Sequence, residues 1–102
     1  VGDNRVIEPE TADAWVTQCA EHFQNRTGKM LLSPVDYDTF VTWEATGMPL
    51  ACALSGIDES VRRIKGPRHR TSAKYAHHAV MDAFEQWQRA VGPQYGGQDN
   101  GQ

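Results

Sequence analysis

Six cationic side chains, Arg62, Arg63, Lys65, Arg68, Arg70 and Lys74, fall within one stretch that contains no acidic residue. Lysines and arginines at that density can neutralise successive phosphates of a nucleic-acid backbone. The resulting affinity is independent of base sequence and falls with salt, because it comes from released counterions. Tyr75 follows directly, and an aromatic ring beside cations can stack on a base. The same charges have a second use. Arg62 and Arg63 can offset the negative end of a helix dipole. Lys65, Arg68 and Arg70 can pair with acidic groups of the first sixty residues, of another copy or of a protein partner. At the level of sequence both readings stand, a nucleic-acid contact and a protein–protein or self-association contact.

The surrounding chain sharpens the contrast. Residues 1–60 hold three basic and ten acidic side chains, residues 61–74 hold the six bases, and the remainder holds one base and three acids. The formal net charge of −3 is therefore an average over two opposed regions. Such a block is uncommon in a mildly acidic protein.

Other chemistry finds less support. Of the histidines His22, His69, His77 and His78, the last two are adjacent, so on a helix they point about 100° apart and cannot share a metal. His78 and Asp82 have the right spacing, but two ligands are not a site. Cys19 and Cys52 form no CxxC pattern and read as buried, reduced, structural thiols, with a disulfide open to them only in an oxidising compartment. No nucleophile elbow, phosphate-binding glycine loop or apolar carboxylate pair is present. The expectation is a non-enzymatic protein without metal or cofactor.

The elements that must position the basic stretch are helices. Pro9 suits the first position of a helix, acidic Glu10 and Asp13 suit its first turn, and Ala12, Trp15, Val16, Cys19 and Phe23 recur on one face up to a stop at Gly28. Ser33-Pro34 with Asp36 is a capping box that starts a second helix, with Leu32 and Tyr37 as its hydrophobic staple. Tyr37, Phe40, Val41 and Trp43 are its expected buried side, and Thr46-Gly47 ends it. After a very short turn Pro49 opens a third helix, whose core stripe is Leu50, Leu54, Ile57, Val61 and Ile64. Gly56 costs that helix about 1 kcal/mol relative to alanine and implies a close helix approach. Gly66-Pro67 ends it. The fourth helix is predicted from Ser72 to Val91, with Ala76, Val80, Ala83, Phe84, Trp87 and Val91 inward. Trp15, Trp43 and Trp87 are expected in the core, and any one left exposed would mark a contact surface.

Short connections and matching stripes predict an all-α fold. It is a compact bundle of about four helices over residues 9–91, with a tight turn between the second and third. A flexible arm (1–8) precedes it and a disordered tail (92–102) follows. A helix-turn-helix reading fails on charge, because the outward face of the third helix offers Ala51, Ser55, Asp58, Glu59 and Ser60, and acid repels a phosphate-lined groove. No apolar run reaches the roughly 18 residues a membrane span needs. The opening residues show neither a basic nor an apolar signal region, so the default expectation is the cytoplasm.

Leu32-Ser33-Pro34, then Trp43, then Gly47-x-Pro49-Leu50 opening an aliphatic helix that ends in basic residues, then Tyr75 and Trp87, together resemble the DnaD-like helical domains of bacterial replication-initiation proteins. The layout, including Gly56-Ile57-Asp58, is also similar to that of small uncharacterised bacterial helical proteins. The likeness covers about residues 30–90. It implies a non-enzymatic accessory that binds DNA and replication partners, with Tyr75 the one position that carries over. The family's last-helix spacing differs here, since Ala79 and Ala83 follow Tyr75 and the tryptophan arrives only at Trp87.

Overall fold

A computed structural model describes residues 9–96, which form four α-helices and two 3-10 turns, with no strand among the described residues. The predicted 1–8 arm and the last six residues of the predicted disordered tail lie outside the described residues. Helix α1 spans Ala12–Thr27, α2 Pro34–Ala45, α3 Leu50–Arg62 and α4 His77–Gly96. The 3-10 turns, Arg68–Arg70 and Ala73–Ala76, lie between α3 and α4. The predicted all-helical bundle is the observed fold.

The first two helices start where a side chain accepts from an unpaired amide. At α1 that residue is Thr11 rather than Pro9, with the hydroxyl accepting from the Ala14 N–H at 3.1 Å. Gly28 closes α1 in the left-handed region at φ 79°, where a side chain would be strained. At α2 the capping box is complete. The Asp36 N–H donates to Ser33 Oγ at 3.1 Å, and the Ser33 N–H donates to Asp36 Oδ2 at 3.0 Å. Gly47 at φ 84° makes the sharp turn into α3.

The buried face of α2 is Asp36, Thr39, Phe40 and Trp43, one turn-spaced stripe. It displaces two residues that the pattern assigned inward: Tyr37 and Val41 are about half exposed. The cause is Asp36, a carboxylate that occupies the inward position and turns the neighbouring apolar residues out. Phe40 then meets Phe23 of α1 edge-on at 5.7 Å and Trp43 at 5.8 Å, a geometry aromatic pairs favour.

Helices α3 and α4 pack closest at Gly56, where an added Cβ would lie 2.4 Å from the Val80 Cα. Ser55, Gly56, Glu59 and Arg63 share one groove with Ala79, Asp82, Ala83 and Gln86. The stretch that joins them stays at the C-terminal end of α3, where Arg68 lies beside Val61 and Arg62, and it is the basic stretch. It leaves α3 earlier than Gly66-Pro67, through 3-10-type bonds from the Arg63 and Ile64 amides to Ser60 and Val61. It re-enters the core at Ala73 and Ala76, both buried.

The twenty-residue α4 outruns the thirteen-residue α3. Residues 85–90 are all exposed, and Trp87, expected in the core beside Trp15 and Trp43, is 37% exposed and stacks on Phe84 at 6.1 Å. The helix also runs through Gly92-Pro93, where its end was expected near Val91. Proline's fixed φ is helical, and its cost falls on the carbonyl one turn back, at exposed Arg89, where water can serve it.

Candidate nucleic-acid interface

All six bases of the basic stretch are exposed, as is Tyr75 at 53%. The two helix-borne ones are engaged. Arg62 and Arg63 both pair with Glu59, one and one-and-a-fraction turns back, Arg63 at 2.8 Å. Lys65, Arg68, Arg70 and Lys74 make no ion pair among the described residues. The sequence-level alternative, in which Lys65, Arg68 and Arg70 pair with acids of the same chain's first sixty residues, is not the arrangement of the described residues. Arg68 and Arg70 sit on one 3-10 turn and Lys74 on the next. Lys65 to Lys74 thus form one short exposed ridge that carries all four cations.

The ridge is anchored at its far end by Asp36. This carboxylate is fully buried and accepts the Ala73 N–H at 2.8 Å on one oxygen, with the Ser33 N–H and the Lys29 ammonium (2.9 Å) on the other. Burial pushes its carboxyl up, but the Ala73 and Ser33 amides and the Lys29 charge outweigh that and hold it below the usual carboxylate range. Gln24 supports Lys29 in turn, its amide donating to the Met30 carbonyl at 3.0 Å. Next to Ala73, Trp43 donates its indole N–H to His77 Nδ1 at 3.0 Å. That bond fixes His77, when neutral, with its proton on the other ring nitrogen.

Two depressions flank the ridge. One, of about 510 Å³, is lined by Asn25, Arg26, Asp58, Val61, Arg62 and Arg68. Asp58 there accepts from both Arg26 Nε (2.9 Å) and His22 Nε2 (2.7 Å). The other, of about 480 Å³, lies between α2 and the start of α4 and is lined by Val35, Asp38, Thr39, Thr42, Lys74, His77 and His78. Arg26 and Asp58 had no place in the sequence-level site. Arg26 reads there only as a helix-end cation, and its approach to Arg62 and Arg68 is tertiary.

On the third helix, Asp58 and Glu59 are tied in ion pairs and Ser60 is buried, its hydroxyl donating to the Ile57 carbonyl. Ser60 is thus not part of any outward face. Cys19 and Cys52 are both free and buried. Among the described residues no group of three or more His, Cys, Asp or Glu is placed to hold a metal ion, and no helix is long and apolar enough to cross a membrane. No family model, curated protein or solved structure matches the chain.

Proposed function

We propose that the protein is a non-enzymatic, nucleic-acid-binding accessory module, of the replication-associated kind that the DnaD-like resemblance implies. Lys65, Arg68, Arg70 and Lys74 contact phosphates, Arg62 and Arg63 join them on leaving Glu59, and Tyr75 is free to stack on a base. One observation carries the reading. In a chain with a surplus of acid, four cations stand on a short exposed ridge without an acidic partner among the described residues. Phosphate contacts of this type give association that is independent of sequence.

The test is fluorescence anisotropy with single- and double-stranded DNA at low and high salt. Affinity for duplex should fall with salt at a logarithmic slope of about −0.9 per phosphate contacted. Replacing Lys65, Arg68, Arg70 and Lys74 with alanine should abolish binding while the helical signal is kept. Absence of binding at low salt, where counterion release favours it most, would end the proposal.

A second reading, a protein-interaction or assembly subunit, rests on a different surface. Met30 (87% exposed) and Leu31 (85% exposed) precede α2, on which Tyr37 and Val41, one turn apart, are half exposed. Apolar side chains grouped in this way mark contact surfaces on soluble domains. Sedimentation of the protein and of a Tyr37→Asp, Val41→Asp variant tests it, since only association through this face is lost in the variant.

A further inference from the structure

We propose that the recess between α1, α3 and the first 3-10 turn is a subsite for a phosphate monoester, a refinement that rests on the polyanion reading of the adjoining ridge. Three arginines line it from three separate elements: Arg26 from the last turn of α1, Arg62 from the last turn of α3 and Arg68 from the 3-10 turn. Asn25 adds an amide and Val61, buried, an apolar patch to its lining. Helix C-termini by themselves disfavour anions. Arg26 and Arg62 offset the ends of the helices they belong to, and each already has an acidic partner, Asp58 and Glu59 respectively.

Arg68 is surplus to both roles. It belongs to neither helix, makes no ion pair among the described residues, and brings a further positive charge to a recess that already holds two arginines. The one carboxylate in the lining, Asp58, has its Oδ1 occupied by His22 and Arg26. That pairing fixes Arg26 through Nε and leaves its terminal amines for a second acceptor. Guanidinium groups bind phosphate oxygens through charge-assisted bonds, and three of them arranged around a concavity suit a group with three terminal oxygens. An internal phosphodiester offers two, and its strand runs off in both directions, which suits the open ridge better than the recess. The monoester can come from the 5′ end of a nucleic acid or from a free nucleotide.

The experiment follows backbone amide shifts of the whole protein on titration with inorganic phosphate, and compares two oligonucleotides of one sequence, 5′-phosphorylated and 5′-hydroxyl. Arg68→Ala is the main variant, because it removes no contact from the fold; Arg26→Ala is the second. The expected result is phosphate-induced shifts at Asn25, Arg26, Asp58 and Arg68, weakened about tenfold or more in Arg68→Ala. Preference for the phosphorylated oligonucleotide, lost in the same variant, identifies the nucleic-acid end as the source. Equal affinity for both oligonucleotides, with the phosphate shifts present, supports the subsite and assigns it to free nucleotides. Phosphate shifts without any oligonucleotide binding support the subsite and overturn the ridge's assigned function instead. No shift at the recess with phosphate, or shifts unchanged in Arg68→Ala, overturns the proposal.

Discussion

The carboxylate of Asp36 accepts the backbone N–H of Ala73, thirty-seven residues away, at 2.8 Å inside the protein. One side chain thereby caps α2, holds the Lys29 ammonium and pins the basic ridge at the point where it re-enters the core. Asp36→Asn keeps the shape but offers only one oxygen to these three donors. A buried donor left without an acceptor carries its full desolvation cost, and the Lys29 charge loses its counter-charge. The substitution should cost about 2–3 kcal/mol, measured by urea unfolding at neutral pH. A loss near zero would mean that water or relaxation replaces these bonds.

The same group sets an acid limit. Its folded pKa lies below the ordinary value of 3.8, so across that interval the unfolded chain binds more protons than the folded one. Its stabilisation is complete above the ordinary value and is lost as pH falls toward the depressed one. Unfolding midpoints measured from about pH 5 downward should therefore fall more steeply in the native protein than in Asp36→Asn.

Gly56→Ala tests the crossing of α3 and α4. In an open helix the change would be favourable by about 1 kcal/mol. Here the new methyl meets backbone atoms of Val80 at 2.4 and 2.5 Å, which cannot rotate aside. The helices must separate, with a net loss of about 1–3 kcal/mol, readable as a lowered Tm. Because the basic stretch joins these two helices, binding at the ridge should weaken as well.

The parts of this fold that were legible in the sequence are those set by local chemistry. Ser33, Pro34 and Asp36 announce the start of α2, and Gly56 announces a close approach, because each acts over a few residues. The inward turn of Asp36 was not legible. A capping carboxylate is ordinarily solvated, and only Ala73 and Lys29, brought in by the tertiary fold, make its burial favourable. The exposure of Tyr37 and Val41 follows from the same event. Of the candidate site, the exposure of its bases was legible from their charge. The convergence of Arg26 with Arg62 and Arg68 was not, since it depends on two helices ending side by side.

Cys19 gives a check on the core. Burial pushes its thiol up to about 12, so thiolate, the reactive form, is scarce in the folded protein. At pH 8 a thiol reagent should modify Cys19 only as fast as the chain opens, and within the dead time once it is unfolded in guanidinium. Rapid labelling of the native protein would show that α1 detaches from α3 far more readily than this packing allows.

Glu59 is the group that distinguishes a used ridge from a merely exposed one. It holds both Arg62 and Arg63, and pairs so exposed contribute little to stability, at most about 0.5 kcal/mol for helix spacing. Glu59→Gln should therefore unfold at nearly the native midpoint. For a nucleic acid the consequence is larger. The substitution removes a negative charge from the edge of the ridge and frees two guanidinium groups at once. Affinity for duplex DNA should rise, and the salt dependence should steepen by about one to two further phosphate contacts. Arg62→Ala with Arg63→Ala in the Glu59→Gln background should reverse both effects. A protein partner docking on α2 would respond to none of these changes, so an unchanged salt slope in Glu59→Gln would turn the assignment from the ridge to the apolar face of Tyr37 and Val41.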